Sequence, residues 1–178
     1  MNAAVDELSG VPPAEEPIPA LAPLPAAILD EALIARAMSE AEASGKSARE
    51  ILARATGLTG SGYARALAAA FDYRFVAADE LARLEPDFSL LAPAEATRRH
   101  CLVVHERGRL LAIFADPFDT TLRGWLEIRV PGPLEWALAA REEINNLIAR
   151  RAEALRAIDT VLPATQHGAQ NEKGIDTL

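Results

Sequence analysis

Features of secreted and membrane-spanning proteins are scarce in this sequence. A single cysteine, Cys101, excludes an internal disulfide and fits a reducing compartment. No apolar run approaches the ~20 residues that a membrane span needs. The N-terminal residues also lack the basic and apolar regions of a signal peptide. These absences predict a cytoplasmic protein without direct membrane insertion.

Aromatic and basic residues are also few. Only 5% of the residues are aromatic, and 18 lysines and arginines face 26 acidic residues, for a net charge of −8. Nucleic acid and anionic membranes require a basic face, so neither is expected as the main partner. Half of the 178 residues are apolar, which is enough for a core in one domain or two small ones.

The pattern of proline, charge and apolar spacing predicts an α+β fold. A helical subdomain is expected first, followed by a small mixed β-sheet with helices. We expect a disordered Pro-rich acidic tail, the helical subdomain, the α/β subdomain, and a linker to an absent C-terminal domain. Their ranges are 1–27, 28–72, 73–158 and 159–178.

The stretch 110–119 organises the α/β part. Six apolar residues run to Ala115, which predicts a strand buried on both faces. Pro117 must end this strand because proline has no N–H to donate, and Asp119 can cap a following helix. A turn at 106–109 predicts a hairpin with a strand at 101–105. A helical crossover predicts a parallel strand at 134–139.

Apolar residues at helical spacing and local cap signals predict the remaining elements. A short extended segment is expected at 73–76. The expected helices are 28–44, 47–55, 60–71, 78–84, two helical turns within 87–100, 120–129 and 141–158.

Gly45-Lys46-Ser47 is similar to the end of a phosphate-binding loop, G-x-x-x-x-G-K-[ST]. That motif needs a glycine five residues before the second one, where this sequence has Glu40 inside a predicted helix. A helix end at Gly45 and an S-x-x-E capping box from Ser47 to Glu50 explain the same residues. We therefore predict helix termination and capping here.

His100, Cys101 and His105 have the side chains of metal ligands. On a strand, however, Cys101 and His105 lie ~13 Å apart and His100 faces the other side. Three ligands so placed cannot meet at one ion, so half-buried strand residues are predicted. Cys101 as a nucleophile would need a base, and none is visible.

Two further charged groups flank the hairpin. Asp116 and Asp119 could form an acid–base pair, but turn and cap roles explain both. Four arginines could form a basic patch that docks an acidic partner, or could be solvated charge. These arginines are Arg98, Arg99, Arg107 and Arg109.

Several short motifs follow one another along residues 28–157. They are Ser44-Gly45-Lys46, Glu50-Ile51-Leu52, Gly57-Leu58, 63–67 through Phe75-Val76, Leu91-Ala92-Pro93, 96–100, Ala115-Asp116-Pro117-Phe118 within 110–119, and 141–144. In order and spacing they resemble the N-terminal domain of the ATPases of type II secretion and type IV pilus assembly, the secretion protein E family. The same domain precedes some bacterial glycosyltransferases.

This resemblance implies a module without catalysis, metal or cofactor of its own, peripheral to the inner membrane through its partners. The implied partners are the cytoplasmic domain of an inner-membrane platform protein and a C-terminal ATPase domain of the same chain. The family docks a motor to that platform. We expect the first helices to form the docking face, with Arg36, Arg49 and Arg54 as exposed candidates. Secretion, pilus and glycosyltransferase contexts stay open.

Some members of the family bind cyclic di-GMP through repeats of roughly R-L-G-x-x-L…Q. In this sequence the Arg-Leu-Gly positions hold Ser47, Ala48 and Arg49, and the glutamine positions hold Ala41 and Ala70. Polar recognition lost to alanine is hard to replace. Cyclic di-GMP binding is therefore not expected here, and a cyclic di-GMP sensor or the N-terminal module of a bacterial glycosyltransferase is the alternative to a docking domain.

Overall fold

The computed structural model describes residues 29–161, which form seven helices and a four-stranded sheet. The predicted α+β class is confirmed, with helices first and the sheet after them. The predicted tail at 1–27 and most of the predicted linker at 159–178 lie outside the described residues.

Three helices form the first part: α1 (Glu31–Ser44), α2 (Ala48–Thr56) and α3 (Gly60–Ala70). Helix α1 begins at residue 31 rather than 28 because the Asp30 side chain caps it, accepting a hydrogen bond from the Leu33 N–H at 2.7 Å. It ends at Gly45, whose φ of 69° is left-handed and suits glycine. The predicted helix end at Gly45 is confirmed.

The predicted capping box at the start of α2 is wrong. Ser47 occupies the N-cap position with extended backbone angles, but its side chain makes no capping hydrogen bond. Glu50 still lies in the first turn, where its negative charge interacts favourably with the helix dipole. Helix α2 therefore starts with the backbone conformation of an N-cap and a favourable charge in its first turn, but without the two side-chain hydrogen bonds of a capping box.

The sheet contains β1 (Arg74–Phe75), β2 (Cys101–Glu106), β3 (Arg109–Phe114) and β4 (Leu134–Leu138) in the order β1-β4-β3-β2. Strand β3 runs antiparallel to β2 and parallel to β4, as predicted, and β1 is parallel to β4. The two hairpin residues, Arg107 and Gly108, both have positive φ, at 50° and 79°. Such angles match the turn that tight hairpins favour.

The remaining helices are α4 (Ala78–Leu81), α5 (Pro93–Arg99), α6 (Thr120–Arg129) and α7 (Arg141–Val161). Helix α4 ends three residues earlier than predicted, and α7 runs to Val161, past the predicted end at 158. Of the two turns predicted within 87–100, only α5 is helical. Residues 86 and 87 instead bond to the outer edge of β2.

The buried apolar side chains of the helical part and of the sheet belong to one core. Residues 111–114 of β3 are all buried, which confirms the prediction of a strand covered on both faces. Helix α3 packs against β1 and β4, while α7 packs against β2 and β3. The consecutive buried residues of β2 and β3 show that these two central segments are covered on both faces.

Candidate functional site

The turn after β3 separates two clefts at the carboxyl end of that strand. Asp116 accepts a hydrogen bond from the Phe118 N–H at 3.0 Å through Oδ1. Asp119 caps α6 by accepting from the N–H groups of Thr121 and Leu122, both at 3.1 Å. Both carboxylates therefore have the turn and cap roles that the sequence predicts.

The first cleft lies between α1, the start of α2 and this turn. Its volume is about 330 Å³. Its lining combines small apolar side chains with three carboxylates and contains no basic residue. The lining residues are Met38, Ala41, Glu42, Ser47, Ala48, Asp116, Phe118 and Asp119. An acidic lining is unsuited to a bare phosphate, and exposed Lys46 does not contribute to it.

The second cleft lies on the other side of the turn and is basic. Its volume is about 300 Å³. It brings Arg98 and Arg99 together with Arg141 at the start of α7. The predicted patch of four arginines is not a single surface, because Arg107 and Arg109 lie at the opposite end of β2. Arg109 instead forms an ion pair with Glu135 on β4.

The three predicted metal-ligand types do not meet. His100 is the left-handed C-cap of α5 rather than a strand residue, and its Nδ1 lies 3.1 Å from Asn145 Oδ1. Cys101 is fully buried rather than half-buried, and burial raises the pKa of its thiol to about 12. Exposed His105 lies 3.0 Å from Asp87 Oδ2. Within residues 29–161 no group of histidine, cysteine and carboxylate side chains could hold a metal ion.

The arginines expected on the docking face differ in exposure. Arg36 on α1 and Arg54 on α2 are exposed. Arg49 is half-buried, and its guanidinium group lies 5.3 Å from the ring centre of Tyr63. The Tyr63 hydroxyl donates a hydrogen bond to the Arg49 carbonyl at 2.7 Å. Arg49 therefore ties α2 to α3 and, contrary to expectation, is not an exposed candidate.

Sequence reasoning missed a set of arginine–aromatic contacts between elements. Arg99 on α5 lies 4.0 Å above the ring of Trp125 on α6. Arg123 on α6 lies 5.0 Å from the ring of Trp136 on β4. Such contacts hold a cation at an apolar surface. Their partners are too far apart in sequence for any local pattern to reveal them.

Comparisons with known proteins found one family model and several solved structures. Residues 71–157 match the model of the MshEN domain. A solved structure of MshE with cdg, cyclic di-GMP, is 21% identical, with a TM-score of 0.53, and covers 70% of this chain and 91% of that chain. A structure of the N-terminal domain of XpsE is 26% identical, with a TM-score of 0.48, and covers 68% of this chain and 86% of that chain.

The comparison with curated proteins found no match. At 21% identity the likeness to MshE establishes the fold. None of the helices within the described range has the length and apolar character needed to cross a membrane.

Proposed function

We propose that this chain is a non-catalytic docking domain of the kind found at the N-terminus of type II secretion and type IV pilus ATPases, because residues 71–157 match the MshEN domain. In this proposal it connects a motor ATPase to the cytoplasmic domain of an inner-membrane platform protein. The chain would then be cytoplasmic and peripheral to the membrane through its partners. The family match is the observation that carries the proposal.

The first two helices offer a surface suited to such docking. Helix α1 packs mainly against α2 and buries only Ala37 completely. Its exposed side includes Arg36 and Met38, the latter 47% exposed, and Arg54 is exposed in the last turn of α2. Neither arginine has an ion-pair partner within residues 29–157. An acidic patch on the platform domain would be complementary to them.

A charge-reversal experiment tests this docking face. The cytoplasmic domain of a platform protein from the same organism is titrated with the chain and with an Arg36→Glu, Arg54→Glu double variant. We expect saturable binding by the chain and a loss of about thirtyfold in the double variant, since two exposed charge contacts contribute roughly 1 kcal/mol each.

Arg150→Glu is the matched control because Arg150 is exposed on α7 and, among residues 29–157, its Nε donates only to the Asn146 carbonyl of its own helix. Binding by this variant should equal that of the unchanged chain. Absence of platform binding would overturn the docking function. Equal affinity in the chain and the double variant would overturn only the choice of face.

A second candidate function is sensing of cyclic di-GMP, favoured by the fold shared with MshE, whose structure includes that ligand. Against it, the first cleft presents the methyl groups of Ala41 and Ala48 and the carboxylates of Asp116 and Glu42. Calorimetric titration separates the two functions. The docking proposal expects no saturable heat at micromolar cyclic di-GMP, and saturable binding there would establish the sensor.

A further inference from the structure

The basic cleft is located where parallel sheets commonly bind ligands. It lies beyond the carboxyl ends of β3 and β4, beside the start of α7. The lining residues come from the end of α5, the turn after β3 and the first residue of α7. They are Arg98, Arg99, His100, Asp116, Asp119 and Arg141.

The arginines of this cleft have donors without close acceptors. The Nε atoms of Arg99 and Arg141 are buried and have no hydrogen-bond partner among the described residues. Arg141 Nη2 is 3.9 Å from Asp116 Oδ2, and Arg98 Nη2 is 3.8 Å from Glu95 Oε1, which are ion-pair rather than hydrogen-bond distances. Buried donors left unpaired are costly, so an added acceptor would lower the free energy.

Two contacts keep the cleft in a defined shape. The Arg99 guanidinium carbon lies 4.0 Å from the ring centre of Trp125, so the two groups stack. His100 Nδ1 and Asn145 Oδ1, 3.1 Å apart, connect the end of α5 to α7. Guanidinium groups that are already oriented lose little conformational entropy on binding.

The carboxylates of the cleft are mostly engaged elsewhere. Asp119 Oδ1 already accepts from two backbone N–H groups and from the Thr121 hydroxyl, and Asp116 Oδ1 accepts from the Phe118 N–H. The three arginines also outnumber the two aspartates. Ala140, which precedes α7, has no side-chain acceptor to cap that helix, while Glu142 and Glu143 in its first turn offset the positive potential of its N-terminus.

We propose that this cleft binds the phosphate group of a small molecule, with Arg99 and Arg141 as its main donors. Arginines from two elements, α5 and α7, line it, and a phosphate has enough oxygens to accept from both at once. A carboxylate has only two oxygens and suits a single guanidinium fork. This site is separate from the proposed docking face on α1 and α2.

The side-chain Nε–H resonances of the arginines test the proposal directly. The complete chain, labelled with ¹⁵N, is titrated with inorganic pyrophosphate at constant low ionic strength. We expect saturable shifts of the Nε–H signals of Arg99 and Arg141. No comparable shift is expected for the exposed Arg150.

Substitutions then separate the site from general anion attraction. Arg141→Gln should weaken pyrophosphate binding at least tenfold, while Arg150→Gln on the same helix should not change it. Acetate at equal concentration should produce no saturable shift. Linear shifts, equal affinity in the two variants, or acetate binding as strong as that of pyrophosphate would overturn the proposal. Because the Nε–H signals are read in the unsubstituted chain, misfolding of a variant cannot hide the result.

Discussion

Two helix starts that look alike in sequence differ in their hydrogen bonds, and this difference can be measured. Asp119 caps α6 through two backbone N–H groups, whereas Ser47 precedes α2 without a capping bond. Asp119→Ala removes the acceptor and leaves both donors to water. Substitutions of this kind cost about 1 kcal/mol, with a range of about 0.5–2. Ser47→Ala removes no capping bond, so its effect should stay within about 0.5 kcal/mol.

Urea unfolding at neutral pH, followed by circular dichroism, provides the free energy of unfolding of each variant. In thermal unfolding, a loss of 1 kcal/mol should lower the melting temperature by about 4 °C, given about 130 folded residues and an unfolding entropy of about 2 cal/mol/K per residue. Asp119→Asn is the control because it keeps an acceptor oxygen, and it should lose less than Asp119→Ala. Equal losses at Asp119 and Ser47, or no loss at Asp119, would refute the assignment of caps.

Three further predictions concern the core and its titrating groups. Phe114 is buried and contacts Tyr73 and Trp136 edge-on, so Phe114→Ala should cost about 3–5 kcal/mol in urea unfolding. Ile128, which is 90% exposed, should tolerate alanine, and similar losses at both positions would contradict the core assignment. Burial raises the pKa of the Cys101 thiol to about 12, so the folded chain should resist a disulfide reagent at pH 8 and react once unfolded in urea. Burial likewise raises the pKa of Tyr63 to about 12 from the usual value of 10.0. The protonated Tyr63 hydroxyl should therefore contribute fully to the free energy of unfolding below pH 10, and this contribution should be lost as the pH rises through 12. Tyr63→Phe should remove this fall in stability at high pH.

The elements that the sequence predicts well are those determined by local patterns. The apolar run ending at Pro117, the helix cap at Asp119 and the parallel return of β4 all follow from neighbouring residues or from general topology. The capping box failed because a matching S-x-x-E pattern permits the reciprocal bonds without requiring them. Ser47 instead lines the first cleft beside Asp116. That neighbour is distant in sequence and invisible to a local pattern.

The candidate site was harder to predict for the same reason. Arg98 and Arg99 were recognised as basic, but grouping them with Arg107 and Arg109 assumed that closeness in sequence means closeness in space. A six-residue strand separates the two pairs by its full length. The arginine that lies near Arg98 and Arg99 is Arg141, which the parallel pairing of β3 and β4 places beside them. Only the register of the sheet reveals that grouping.

The docking face and the basic cleft use different arginines, which makes the two proposals separable. Charge reversal at Arg36 and Arg54 should leave the pyrophosphate titration unchanged, since both side chains lie outside the cleft. Arg141→Gln should in turn leave platform binding intact. If pyrophosphate changed the affinity for the platform domain, binding at the two surfaces would be coupled, and the platform domain would change the affinity for pyrophosphate by the same factor. Asp116 and Asp119 line both clefts, and the first cleft also includes Met38 of the docking face, so such coupling would pass through these residues.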